Sequence, residues 1–253
     1  MRLSTDAIVL HVFDYSETSR IVRLATRDAG VQSALARGAR RPRSKFGSAL
    51  DLFAHGVAEL HLKEGRDLQT LSAFEVTDAR APLGLELERF ASASALAELV
   101  LRFGAAEDAQ PGLFDALAGA LDAVSAASAR QATEAGLAGA WRLVSELGFA
   151  PALSHCSSCH TPVPTGAELS FNHAAGGVLC ASCARAHPGG RRLPAPERAC
   201  VDAWSRATRV SDLEPRSARA HQRLLHEFLQ QHLADGRALR AFDAWESGGW
   251  AAP

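Results

Sequence analysis

The sequence predicts an α+β protein: a small N-terminal β-barrel of the OB-fold type, then an α-helical bundle with an inserted four-cysteine module. Three observations lead there. Five short strand patterns fall within the first eighty residues, and after Pro82 the apolar period changes from two to that of a helix. Four of the five cysteines form two C-x-x-C pairs, Cys156/Cys159 and Cys180/Cys183, with twenty residues between them.

The strands come first. Ala7 to Phe13 is a β-rich run, and Ser19 to Leu24 is a second beyond the polar turn Asp14-Tyr15-Ser16-Glu17. Ala29-Gly30 breaks the chain, and Val31 to Arg37 is a third. Leu50, Leu52, Ala54, Ala58, Leu60 and Leu62 fall on even positions, with Asp51, His55, Glu59 and His61 on odd ones. That is a strand with one wet face. Glu64 to Asp67 turns the chain, and Leu68 to Val76 returns as a fifth strand. Five short strands in this length fit a closed barrel over residues 1–80.

The helices follow. Leu96, Leu99, Val100 and Phe103 form one apolar stripe; Leu113, Leu117, Leu121 and Val124 form another; Leu137, Trp141 and Val144 form a third. Gly148 and Pro151 end this stretch, and helical sequence resumes near Pro196. His221, Leu225, Phe228 and His232 share one face of a long helix, Ala238 to Trp245 is a last short one, and the tail Gly248 to Pro253 is expected to fray. The helical domain is thus expected over 81–150 and 197–247, packed as one bundle, with the cysteine module over 151–196 inserted in it.

In that module each C-x-x-C supplies two ligands from one tight turn, and the intervening stretch is long enough for a hairpin to bring the second pair back. The reversal is expected at Asn172 to Gly177. This is the spacing of a structural zinc site with one Zn2+ bound by Cys156, Cys159, Cys180 and Cys183. Four thiolates close the coordination sphere, so a staple is favoured over a catalytic metal or a nucleic-acid-contacting finger. His155, His160, His173 and His187 flank the pairs and could replace a thiolate in a Cys3His site, but the complete C-x-x-C pairs disfavour it. Cys200 stands apart and is read as a small buried hydrophobe without a role.

The formal net charge of −1 hides a polarised chain. Arg20 to Lys45 holds eight basic residues against one acid, +7, so the remainder carries −8. Within it, Arg37, Arg40, Arg41, Arg43 and Lys45 crowd a segment that Gly38 and Pro42 keep out of regular structure. Guanidinium groups there can fork onto phosphate oxygens, which favours nucleic acid over a merely solvated loop. Arg20 and Arg23 are candidates to extend this surface, although strand parity puts them on opposite faces; Arg191 and Arg192 form a second basic spot beyond the cysteines. Phe13, Tyr15, Phe46 and Phe53 are candidate base-stacking groups against a competing reading as barrel core, with Phe46, beside Lys45, the best placed.

No P-loop, G-x-G-x-x-G turn, H-E-x-x-H or G-x-S-x-G is present. The first fifteen residues lack the apolar core of a signal peptide, and no stretch approaches the roughly 20 apolar residues of a membrane span. A cytoplasmic binding protein is therefore expected, without contact to a membrane. The rival class is a zinc-ribbon nucleic-acid-processing enzyme or accessory subunit with a site assembled from scattered residues such as His11, His55 and His61.

Tyr15 to Val22, Thr26 to Gly30, Arg37 to Ser44 and the Gly176-Gly177-Val178-Leu179-Cys180 run resemble the RecO recombination mediators, and the order of strands, helices, four-cysteine module and helices is similar as well. The resemblance implies an OB-fold, a helical domain and an inserted zinc module. It implies binding to single- and double-stranded DNA, annealing of complementary strands, and partnership with RecR. It also implies contact with the C-terminal tail of the single-stranded DNA-binding protein, so that RecA is loaded on coated DNA, without catalysis. By position, Arg37, Arg40, Arg41, Arg43 and Lys45 correspond to the family's basic motif.

Overall fold

A computed structural model describes residues 1–47, 49–106, 108–208, 213–233 and 237–247. The tail expected to fray lies outside the described residues. Strands β1 (Arg2–Asp14), β2 (Arg20–Thr26), β3 (Gly30–Ala36), β4 (His55–His61) and β5 (Gln69–Asp78) form one sheet. It runs in the order β1-β2-β3-β5-β4, and β4 pairs back onto β1, so the OB-like sheet closes. All pairings are antiparallel except a short parallel β3–β5 contact.

Alternation along the strands fills the barrel with Ala7, Val9, Val22, Leu24, Ala34, Ala58, Leu60 and Leu71. The outward neighbours Ile8, Leu10, Ala25 and Val31 are buried too, because they meet the helices. That explains why β1 reads as an unbroken apolar run rather than as alternation. Two details depart from the sequence expectation. The fourth strand begins at His55 rather than Leu50, because residues 50–53 form turns and Phe53 takes a left-handed φ of 68°. A β-bulge between Val9 and His11 then flips the pleat, so Val12 faces inward while Phe13 stands 47% exposed.

The helical body comprises α1 (Leu87–Phe103), α2 (Pro111–Ala126), α3 (Ala129–Glu146), the short α4 (Ala181–Ala186), α5 (Ala195–Ser205), α6 (Pro215–His232) and α7 (Arg240–Glu246). The three early stripes face the core and are buried, except Phe103, which is half-buried against it. Helices before and after the cysteines do pack together: the Trp141 ring of α3 lies 5.4 Å from Phe228 of α6. At Gly139 a Cβ would sit 2.5 Å from Ala120 Cβ, so the missing side chain lets α3 approach α2.

Between α3 and α5, strands β6 (Leu169–Asn172), β7 (Gly177–Leu179) and β8 (Arg191–Leu193) form a small sheet in the order β7-β6-β8. The reversal at residues 173–176 is present. The module shares its apolar core with the helices: Leu153, Phe171, Val178, Leu179 and Leu193 belong to the same buried cluster as Trp141 and Phe228. The Phe171 ring lies 6.0 Å from Phe228. The module is therefore held by packing as well as by its cysteines.

Barrel and helices are fastened at one buried cation. Arg80 is 3% exposed, with Nε 2.7 Å from Asp122 Oδ1 and Nη groups donating to the Phe53 carbonyl at 3.0 Å and the Ala118 carbonyl at 3.4 Å. Arg27 adds a bidentate pair with Asp115 of α2. At Gly30 (φ +65°) any Cβ would collide with the Ala105 and Asp108 carbonyls, so only glycine lets the β2–β3 turn seat on the α1–α2 loop. The Asp122 side chain is 57% exposed, so it survives without its partner, whereas the two carbonyls do not. Arg80→Met is expected to cost about 2–4 kcal/mol in urea unfolding, the penalty of leaving buried acceptors unpaired. Asp122→Asn removes the carboxylate from a buried guanidinium but keeps an accepting oxygen, and is expected to cost about 1–3 kcal/mol.

Candidate metal centre and cationic rim

The four cysteines come together. Their sulfurs all lie within 4.8 Å of one another, and Cys159 Sγ is 3.7 Å from Cys180 Sγ. A tetrahedron of metal–sulfur bonds of about 2.3 Å has edges of about 3.8 Å, so the quartet fits a zinc-sized ion. The first pair is a knuckle: the His160 N–H donates to the Cys156 carbonyl at 2.9 Å, and His160 takes a left-handed φ of 59° to close it. The second pair is built differently from the expected turn. Cys180 caps α4 and Cys183 lies within its first turn, so a helical i, i+3 step aims both sulfurs the same way.

The cluster is prepared for negative charge. Burial pushes the Cys156 thiol up, but N–H groups of Cys159, Cys180 and Ser158 outweigh it and hold the group below its ordinary value. The Ser182 hydroxyl, 3.1 Å away, and the Cys183 N–H bring Cys180 down to about 6. Ser158 pulls Cys183 down, yet the hydrogen bonds it shares with Cys180 and Cys159 push it up to about 11. Protons are thus shared among four thiols that a divalent cation would displace. His155, His160, His173 and His187 are not part of the quartet.

The basic segment is a rim anchored on the barrel. Ala39, Phe46 and Leu50 are buried in the barrel core, while Arg37, Arg40, Arg41, Arg43 and Lys45 are all exposed. Buried plugs alternating with exposed cations give the loop a defined shape without helix or strand. The Arg40 N–H donates to the Thr18 carbonyl at 3.0 Å and its guanidinium to the Ser16 carbonyl at 2.9 Å, which ties the loop to the β1–β2 tip. Asp14 sits between Arg40 (3.5 Å) and Arg20 (3.3 Å). Among the described residues Arg37, Arg41 and Arg43 make no ion pair.

Other sequence candidates lie elsewhere. Phe46 is 2% and Phe53 3% exposed, so neither is available for stacking; Phe46 plugs the barrel and Phe53 packs on Phe90 at 5.9 Å. The open aromatics are Tyr15, 59% exposed beside the rim, and Phe13. Arg23 is half-buried against the Leu101 carbonyl of α1, and burial holds its guanidinium below the ordinary value. Arg191 is paired with Glu227, and Arg192 with Glu168 at 2.5 Å. The acids that hold them are distant in sequence, and no local signal announces them. His55 and His61 lie at opposite ends of β4 and, like His11, belong to no cluster of metal-ligating side chains among the described residues. Burial and then the Arg80 charge hold the His55 imidazole below its ordinary value. Among the described residues no helix is long and apolar enough to cross a membrane.

Fold and site together define an OB-like barrel protein with a cationic rim, joined to a helical body that carries a closed four-cysteine centre. The family comparisons narrow this class. The model for the recombination protein O N terminal region matches residues 1–80, and that for its C terminal region matches 84–240. The DNA repair protein RecO of Anaeromyxobacter sp. (strain K) is 35% identical over 95% of both chains. That of Nocardioides sp. is 34% identical over 94% of this chain and 97% of the relative. The chain belongs to the RecO family of DNA repair and recombination proteins.

Cys156 is fully buried and its carbonyl closes the knuckle. Cys156→Ser is therefore expected to lower the metal content by one ion per chain, read by elemental analysis. The same change is expected to lower the thermal midpoint, because Phe171 and Val178 sit between the quartet and the helices.

Proposed function

We propose that the protein is a non-catalytic recombination mediator. It binds single- and double-stranded DNA, anneals complementary strands, and with RecR helps to load RecA onto strands coated by the single-stranded DNA-binding protein, whose C-terminal tail it contacts. One structural zinc ion occupies the cysteine quartet. The protein works in the cytoplasm, associated with the nucleoid.

A single observation carries this reading: Arg37, Arg41 and Arg43 are exposed and, among the described residues, free of carboxylate partners, on a loop whose buried Ala39, Phe46 and Leu50 fix it to the barrel. Clustered cations repel one another, and a phosphate backbone relieves that repulsion. Annealing brings two polyanions together, and a cationic rim screens both. Tyr15, beside Arg40, offers a ring face to an unpaired base, a contact that tolerates any sequence. Lys45 and Arg20 widen the rim. Arg23, held against α1, and Arg191 and Arg192, each neutralised by a glutamate, stand outside this track. The acidic stretch 81–150 then faces away from DNA or toward a basic partner.

The test is quantitative. Replacing Arg40, Arg41 and Arg43 with Ala is expected to weaken binding to a single-stranded oligonucleotide at any sequence. It is expected to reduce the slope of log K against log salt by about 2, close to 0.7 for each lost phosphate contact. An unchanged slope moves the DNA surface elsewhere. The wild-type chain is expected to anneal complementary oligonucleotides without nucleotide. Cleavage or modification of the strands would refute the mediator reading.

A further inference from the structure

Cys200 has no role in the quartet, yet it lies in a second cluster of metal-ligating side chains. Glu197 and Cys200 are three residues apart on α5 and share a face of that helix. His221 of α6 meets them. A carboxylate oxygen of Glu197, the Cys200 sulfur and a ring nitrogen of His221 all lie within 4.8 Å of one another. Glu197 Oε2 is 2.6 Å from His221 Nε2, and the Ser217 hydroxyl donates to Glu197 Oε1 at 3.0 Å. A carboxylate oriented by an outer hydrogen bond is how ligating acids are commonly held. His221 is 2% exposed, yet among the described residues its Nδ1 makes no hydrogen bond, a costly state for a buried polar atom. The Trp204 ring stands edge-on to His221 at 4.9 Å, while the Glu197 side chain is 28% exposed and opens the cluster to solvent.

We propose that Glu197, Cys200 and His221 form a second metal site, separate from the cysteine quartet, for a divalent ion of borderline softness such as zinc or cobalt. One sulfur, one nitrogen and one oxygen suit such an ion, and three protein ligands leave a fourth position to water. A nucleophilic cysteine fits these residues less well. That chemistry needs a thiol held down and a ring nitrogen bonded to it. Here His221 Nε2 is bonded to Glu197, and among the described residues His221 Nδ1 has no hydrogen-bond partner, so neither ring nitrogen is bonded to the thiol. As Sγ takes the ion, the Cys200 proton leaves to solvent. Bound there, the ion ties α5 to α6 within the part of the helical body that follows the cysteine module.

The test is a titration of the metal-stripped full-length chain with Co2+ alone under reducing conditions, read by absorption and by equivalents bound. Wild type is expected to take two equivalents. Cys156→Ser is expected to keep one, at the second site, with a weaker sulfur-to-cobalt band because Cys200 is that ion's only thiolate ligand. Cys200→Ser and Glu197→Gln are each expected to keep one, with the strong four-thiolate band intact. Circular dichroism checks that each variant folds, and Glu197→Gln, at the more exposed ligand, guards against loss of fold in Cys200→Ser. One equivalent in wild type that carries the strong four-thiolate band, or two in folded Cys200→Ser and Glu197→Gln, overturns the second site. Loss of the strong band from wild type would refute the quartet instead, so the two assignments fail separately.

Discussion

The buried seam between barrel and helices is the constraint on which the rest depends. Ile8, Leu10, Ala25, Val31 and Phe53 leave the outer surface of the barrel and enter the same apolar cluster as Leu96, Leu99, Trp141 and Phe228. Strands β1 and β2 are thereby covered on both faces over part of their length. Arg80 locks the seam by bonding to the barrel at Phe53 and to α2 at Asp122 and Ala118. Once that face is committed, the β1–β2 tip and the cations of the basic loop remain at the surface. Charge follows the same division: the rim is cationic, and the cations that point toward the body, Arg23 and Arg27, are absorbed by a carbonyl and by Asp115.

The cysteine quartet acts at the other end of this seam. Its sulfurs are set by a knuckle and by the first turn of α4, and its strands send Phe171, Val178 and Leu193 into the helical core. Cys156 itself belongs to that core, so the quartet and the packed strands adjoin. The arginines at its edge are tied to Glu227 and Glu168, which fits a structural part better than a second DNA surface.

Much of this was legible in the sequence, and the reasons are local. Period-two alternation marked the strands, and i, i+3, i+4 stripes marked α1 to α3. The paired C-x-x-C spacing marked the quartet, and the arginine run marked the rim. What escaped depended on contacts distant in sequence or on one-residue irregularities. The bulge after Val9 reverses the parity of Phe13, and nothing in the composition announces it. Phe46 looked like a ring beside a lysine in a polar loop, but the barrel end needed a plug. Pairs such as Arg191–Glu227 and the cluster of Glu197, Cys200 and His221 join different elements, so no motif precedes them.

The most direct measurement is hydrogen–deuterium exchange of the full chain with and without a single-stranded oligonucleotide. Protection is expected at the β1–β2 tip, residues 15–19, and along the loop at 37–47. The amides of α1 and α2 at the seam are expected to remain unchanged. Protection confined to the helical body, or to residues 185–193 beside the cysteines, would contradict the assignment of the rim as the DNA surface.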